Sequence, residues 1–252
     1  MICDCELPAG REAIWYPELR KVSCLACSPA EEPAVDNPGA SALREHERRR
    51  QRREQHAREK LGSFGGFLAR VIDEPSSTRV WKQGGEGEAR TAARLNKHLA
   101  GTGVRLLHDR RIPGHGKANL DHLAIGRGGV TVIDSKTHRG KVRVDRVGGL
   151  FAPRRTVLLI NGRDRTTMID GLEAQIGHVR SALSRLGYEG IEIRGALCFP
   201  DVAGLPLRQL VVRDVLIDGP KAIAKLAARP GSINPDAVDS LWRELGRALP
   251  PC

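Results

Sequence analysis

The chain has 252 residues, of which 40% are hydrophobic and 28% charged, so it can form one substantial core. Its 41 Lys and Arg against 30 Asp and Glu give a net charge of +11, which favours a polyanionic partner such as nucleic acid. No apolar run approaches the ~20 residues that cross a bilayer, and the first residues lack the pattern of a signal peptide. We therefore expect no membrane partner, a cytoplasmic location and reduced thiols.

Four of the six cysteines form two close pairs near the N-terminus, Cys3 with Cys5 and Cys24 with Cys27. In a reducing compartment, two such pairs around a short hairpin favour zinc thiolates over disulfides. The first pair has one intervening residue, whereas the usual zinc knuckle has two. We predict a small zinc-ribbon-like module over residues 1–30 that binds Zn²⁺. The alternative is a group of unliganded or redox-active thiols.

Residues 31–77 are predicted to connect this module to a globular domain. Their first part is rich in Pro, Ala and acidic residues, which is typical of a linker. Residues 41–62 predict a basic helix with Ser41 as its N-cap, in which eight Lys and Arg outnumber four Glu. Because that helix has almost no apolar stripe, it is either a solvated connector or an arm that contacts phosphates.

From residue 78 to residue 252 the pattern is that of a globular domain. Helices and strands alternate irregularly, which predicts an α/β fold with a mixed sheet flanked by helices. The predicted helices cover residues 85–100, 167–186, 221–228 and 235–248. The predicted strands cover residues 104–109, 119–126, 129–136, 141–144, 156–160, 191–199 and 210–217.

The stretch NLDHLAIGRGGVTVIDSK, residues 119–136, predicts a β-hairpin with its turn in Gly-Arg-Gly-Gly. If the turn is centred on Arg-Gly, Ile125 lies opposite Val130 and Asp121 lies opposite Asp134. A register slip of one residue would turn one of the two carboxylates to the other face.

The two opposed carboxylates predict a cation site. Like charges at directly opposed positions are unfavourable, and a hard divalent ion such as Mg²⁺ offsets the repulsion. Lys136 follows Asp134 at a spacing of two, so it projects from the same face and places a positive charge beside a scissile phosphate. The alternative is an exposed hairpin in which Lys136 makes an ordinary ion pair. His122 points to the face opposite Asp121, so we expect it to pack or to form a hydrogen bond.

Two polar side chains lie in line with the apolar stripes of predicted helices. Glu88 is in line with Ala92 and Leu95 at the N-terminal end of its stripe, and Gln175 is in line with Leu172 and Val179. Glu88 either joins the acidic site or is an acid favoured by the helix dipole. Gln175 either orients a water or a phosphate, or caps a neighbouring backbone group.

The ordered series GGEGEARTAARL, LLHDRRIPG and NLDHLAIGRGGVTVIDSKTHRGKV resembles the nuclease-related domain, a branch of the restriction-endonuclease-like PD-(D/E)XK superfamily. The resemblance covers roughly residues 78–185. It implies a mixed sheet with flanking helices and magnesium-dependent cleavage of DNA. The N-terminal cysteines resemble a zinc ribbon.

The resemblance also implies roles for individual residues. Asp121 and Asp134 would bind Mg²⁺ or Mn²⁺, Lys136 would assist the attacking water, Glu88 would add a carboxylate and Gln175 would complete the site. The last acidic position is commonly Glu in the family, whereas it is Asp134 here. The sequence thus predicts a metal-dependent deoxyribonuclease in DNA processing or repair. The alternatives are an inactive nucleic-acid-binding module and a zinc-organised interaction protein on the same fold.

Overall fold

The computed structural model describes residues 13–16, 21–24, 37–52, 55, 76–116, 118–138, 140–149, 152–201, 205 and 209–252. Near the N-terminus, β1 (Ala13–Tyr16) pairs antiparallel with β2 (Lys21–Cys24). These two strands follow Cys5 in the chain and end at Cys24, the first cysteine of the second pair. Cys3, Cys5 and Cys27, together with the side chain of Cys24, lie outside the described part of the chain, so the zinc module stays a prediction.

The centre of the molecule is a six-stranded mixed sheet in the order β10-β11-β9-β5-β4-β3. Strand β9 pairs parallel with both β5 and β11. The pairs β10–β11, β3–β4 and β4–β5 are antiparallel. A separate antiparallel sheet has the order β6-β7-β8. The strand bounds are β3 Arg105–Arg111, β4 Asn119–Gly126, β5 Gly129–Ser135, β6 Val142–Gly149, β7 Ala152–Ile160, β8 Arg163–Asp164, β9 Ile193–Cys198, β10 Leu210–Val212 and β11 Val215–Asp218.

Helices cover both faces of the large sheet, as the sequence predicted. One face packs against α2 and α4, and the other packs against α3, α5 and the three-stranded sheet. In the described ranges, no helix is long and apolar enough to cross a membrane. The helices are α1 over residues 40–52, α2 Ser76–Leu99, α3 Thr167–Arg185, α4 Pro220–Ala227 and α5 Pro235–Ala248.

Alternating side chains of the central strands supply both hydrophobic layers. Leu123 and Val132 pack toward α3 and α5, whereas their neighbours Ala124 and Ile133 pack toward α2 and α4. The side chains of both layers are buried, because helices or the three-stranded sheet cover both faces of the central strands. A strand buried on both faces reads as a nearly continuous apolar run, and this makes the acidic residues in β4 and β5 exceptional.

The predicted hairpin register is confirmed. Ile125 pairs with Val130, and Gly126 pairs with Gly129 around a two-residue turn. The paired ladder ends with His122 opposite Ile133, one residue before the two aspartates. Continuing the same register places Asp121 opposite Asp134.

Several details of the predicted elements are wrong. The helix predicted over residues 85–100 begins at Ser76, and the strands predicted over residues 141–144 and 156–160 are the longer β6 and β7. Strand β8 was not predicted. Residues 210–217 form two strands, β10 and β11, joined by Arg213 and Asp214 with φ of 48° and 65°. Such a two-residue turn usually contains Gly or Asn, so its sequence carries no turn signal. Ser41 is not an N-cap, because α1 begins one residue earlier and the Ser41 N–H donates to Asp109 Oδ2 at 2.7 Å.

His122 has the structural role expected of it. It lies opposite His108, and the two Nδ1 atoms are 2.8 Å apart in a buried hydrogen bond. One ring donates and the other accepts, so the accepting imidazole is neutral. Burial, followed by the charge of Arg110, lowers the pKa of His108 to about 4, and burial lowers the pKa of His122 well below its usual value.

This histidine pair predicts a loss of stability in acid. The unfolded chain binds a proton at His108 below about pH 6.5, whereas the folded protein does so only near pH 4, so the free energy of unfolding falls as pH falls through this window. The expected contribution is about 3 kcal/mol. His108→Asn keeps a hydrogen-bond donor but does not titrate, and denaturant unfolding at several pH values should show a shallower slope for it than for the wild type. His98→Asn, at an exposed position of α2, should keep the wild-type slope, and equal slopes for all three proteins would contradict the assignment.

Candidate active site

Asp121 and Asp134 converge at the open end of the β4–β5 hairpin. They are 9% and 4% exposed, respectively. The backbone N–H of Ser135 donates to Asp121 Oδ2 at 2.8 Å, so the Asp121 carboxylate reaches across to the end of β5. Burial raises the pKa of Asp121 well above its usual value, and the negative charges of Asp134 and Glu88 raise it further. The two carboxylates therefore share one small, poorly solvated volume.

Lys136 supplies the positive charge nearest to these acids. Its Nζ lies 2.7 Å from Asp134 Oδ1. Burial by itself lowers the pKa of Lys136, but the carboxylates of Asp134, Asp121 and Glu88 together outweigh burial, so the pKa is raised. The side chain is accordingly an ammonium ion at neutral pH.

Glu88 reaches the same volume from α2. Burial raises its pKa to about 7, with further contributions from the charges of Asp109 and Asp134. Its Oε2 atom is enclosed and has no hydrogen-bond partner among the described residues. A buried carboxylate oxygen without a partner is unfavourable, which indicates that a cation or a water completes its surroundings.

Two contacts hold this part of α2 against the end of β5. The hydroxyls of Thr91 and Ser135 are 2.6 Å apart, one turn of helix beyond Glu88. Next to Glu88, a Cβ built on Gly87 would lie 1.8 Å from Thr137 Cγ2. Only glycine therefore allows the helix to approach the chain just after Lys136. The sequence contains Gly87 directly before Glu88. The need for glycine, however, comes from the contact with Thr137, which residue spacing does not reveal.

Asp109 is a fourth acid near the site that the sequence analysis did not identify. It lies in β3 with a φ of 47° and is buried. Its carboxylate accepts from the Ser41 N–H and from Asn119 Nδ2, so it is held by hydrogen bonds while its charge acts on Glu88. A left-handed backbone at an aspartate within a strand has no sequence signature apart from the residue type.

Gln175 lies on the predicted face of α3, between the buried residues Leu172 and Val179. Its Oε1 atom is enclosed without a hydrogen-bond partner, and no hydrogen bond joins it to the acids among the described residues. Three residues further on, His178 packs on His115 with ring centroids 4.0 Å apart. Because His115 belongs to the β3–β4 loop, this contact brings α3 to the edge of the sheet from which Asp121 projects.

The arrangement fits a cation that is only partly coordinated by protein. Among the described residues, no group of three or more His, Cys, Asp or Glu side chains could hold a metal ion by itself. Mg²⁺ is commonly held by one or two carboxylates, with water and substrate phosphate as its other ligands. The pair of Asp121 and Asp134, with the unpartnered Glu88 oxygen beside them, suits this mode of binding.

Comparison with known proteins identifies one part of the chain. Residues 83–200 match the family model described as "Nuclease-related domain". No curated protein and no solved structure matches the chain. The matched segment begins in α2, ends just after β9 and includes every residue of the candidate site. Residues 83–200 are thus similar to the nuclease-related domain family.

Proposed function

We propose that this protein is a metal-dependent nuclease that hydrolyses phosphodiester bonds of DNA. The observation that carries the proposal is the convergence of Asp121 and Asp134 at one strand end, with the Lys136 ammonium 2.7 Å from Asp134 Oδ1. The net charge of +11 and the nuclease-related domain both support a nucleic-acid substrate.

In this proposal Asp121 and Asp134 would hold Mg²⁺ or Mn²⁺, and Glu88 would reach the ion through water. The repulsion among these carboxylates, which the Lys136 ammonium only partly offsets, favours the binding of a cation. When bound, it supplies Lewis-acid polarisation of the phosphoryl group and lowers the pKa of water.

The chain's own side chains position the reacting groups. Lys136 donates to a non-bridging phosphate oxygen and stabilises the negative charge that develops in the transition state. The Oε1 atom of Gln175 accepts a hydrogen bond from the attacking water and orients its oxygen toward phosphorus. The water oxygen forms a bond to phosphorus, the ester P–O bond breaks, and a proton from the water ends on the leaving oxygen. The Ser135 N–H keeps Asp121 in its orientation throughout.

Catalysis should depend on Asp134 and on Lys136. Asp134→Asn and Lys136→Met should each lower the rate of Mg²⁺-dependent DNA cleavage by at least about 100-fold, because Asp134→Asn weakens metal binding and Lys136→Met removes the positive charge that stabilises the transition state. Cleavage of supercoiled plasmid and of labelled linear duplex measures this rate.

The matched control for that experiment is Asp145→Asn. It removes an exposed carboxylate of β6 that pairs with Arg143 and accepts from the Arg146 N–H, so it should keep wild-type activity. If the wild type binds DNA in a gel-shift assay but cleaves no substrate with any divalent metal, the protein is a binding module and the nuclease proposal fails.

Stability should respond both to the charge of Asp121 and to metal. Asp121→Asn should raise the melting temperature in EDTA, because it removes a buried charge that Asp134 and Glu88 repel. Mg²⁺ or Mn²⁺ should raise the melting temperature of the wild type and of Asp145→Asn, and raise that of Asp121→Asn by much less. An equal shift in all three proteins would mean that the ion binds elsewhere.

Activity should also depend on the close approach of α2 to Thr137. Gly87→Ala should lower DNA cleavage by about 10-fold to 100-fold, because its Cβ would displace Glu88 away from Thr137. Gly84→Ala, whose Cβ meets nothing within 4 Å, should leave cleavage unchanged.

A double variant separates this contact from a general effect of alanine. Thr137→Ser removes the Cγ2 atom that the new Cβ would strike, so Gly87→Ala/Thr137→Ser should recover most of the lost rate. Failure of Thr137→Ser to rescue Gly87→Ala, with both proteins folded by circular dichroism, would rule out the contact as the cause.

A further inference from the structure

The basic helix α1 is anchored beside the candidate active site. A Cβ on Gly39, which has a φ of 78°, would lie 2.2 Å from the carbonyl oxygen of Gly85, so the two backbones touch where α1 begins against α2. Ala40 and Ala42, in the first turn of α1, are both buried. The start of this helix is therefore packed into the domain.

Hydrogen bonds to β3 and β4 fix the same end of α1. The Asp109 carboxylate accepts from the Ser41 N–H at 2.7 Å, so a backbone donor of the first turn has a partner. The negative charge of the carboxylate also lies at the positive end of the helix dipole, which stabilises the helix. Asn119 Nδ2 donates both to Ser41 Oγ at 3.1 Å and to Asp109 Oδ1 at 3.0 Å. These contacts orient α1 relative to the sheet.

A groove of about 480 Å³ lies between α1 and the strands that carry the site. Positive charge dominates its lining, with four arginines against one glutamate. Glu45 bonds to Arg48 and Arg49 and so orients their guanidinium groups. The lining side chains that matter here are Arg44, Glu45, Arg48, Arg49, Arg111 and Asn119.

The arginines form a row along one face of α1. Arg44 and Arg48 are one turn apart, and Arg52 is one turn further, so the three project in the same direction. One turn of α-helix rises about 5.4 Å, which is close to the spacing of successive phosphates along a nucleic-acid strand, and guanidinium groups bind phosphate oxygens in pairs of hydrogen bonds.

The groove leads to the candidate active site. Asn119 lines the groove and precedes Asp121 by two residues in β4, so both project from the same strand face. On the other side, Asp109 anchors α1 and acts electrostatically on Glu88. A backbone that follows α1 toward Asn119 thus arrives at the carboxylates.

We propose that the groove along α1 binds the phosphate backbone of DNA through Arg44, Arg48, Arg49 and Arg111 and guides the strand to Asp121 and Asp134. The inference rests on the proposed nuclease function and extends it by assigning the substrate-binding surface. In this arrangement α1 is a fixed part of the substrate-binding surface, and Asp109 is its positioning residue.

Binding of the full chain to labelled duplex and single-stranded DNA, measured by fluorescence anisotropy in EDTA, tests the groove without any cleavage. Arg44→Gln/Arg48→Gln should raise Kd at least about 10-fold and lower the slope of log K against log salt by about two, one for each lost phosphate contact. The matched control, Arg50→Gln/Lys97→Gln, removes two charges that do not line the groove and should change Kd by less than about twofold. Equal losses in the two variants would overturn the proposal, because only total charge would then matter.

A small substrate separates this inference from the nuclease proposal. Bis(4-nitrophenyl) phosphate has no backbone that could follow α1, so Arg44→Gln/Arg48→Gln should slow cleavage of long DNA by a much larger factor than hydrolysis of this small substrate. If the variant loses both activities, α1 supports the site itself and the groove proposal is wrong. If the wild type hydrolyses neither substrate with any divalent metal, the nuclease proposal fails, and the binding data alone decide the groove.

Discussion

Electrostatic repulsion among buried carboxylates at the end of β5 is the constraint on which the rest of the site depends. Asp121 and Asp134 are buried and Glu88 is half-buried beside them, and among the described residues the nearest opposing charge is the Lys136 ammonium. Burial weakens screening by water, so this cluster is a net cost to the fold unless a cation joins it. Proteins retain such costs mainly at functional sites, because the strain is relieved when the ligand binds.

The hydrophobic layers offset that cost by fixing the elements that carry the charges. The sheet is covered on both faces, and the polar groups approach its edge from α2 on one side and from α3 on the other. The segment that matches the family model ends at residue 200, yet β11 pairs with β9 beyond it, and α4 and α5 complete the two layers. Residues outside the matched segment are therefore needed to bury the strands that hold the site.

Glycine and aspartate at unusual positions link the outer parts of the molecule to the site. Gly87 brings α2 close to Thr137, and the contact of Gly39 with Gly85 brings α1 close to α2. Asp109 connects these contacts, since it accepts a hydrogen bond from the first turn of α1, and its charge adds to the effect of burial in raising the pKa of Glu88. The basic helix and the acidic site are thus held in one arrangement, although their charges are opposite.

The amino-acid sequence alone determined the mixed sheet, its flanking helices and the register that sets Asp121 opposite Asp134, because these follow from local periodicity and from a glycine turn. It also put Glu88 and Gln175 on the buried faces of their helices. Only the tertiary structure decided which helix approaches the acids closely enough to matter, that Asp109 joins them, and that α1 docks instead of projecting into solvent. Those features come from contacts between residues far apart in the chain, and such contacts leave no period or spacing in the sequence.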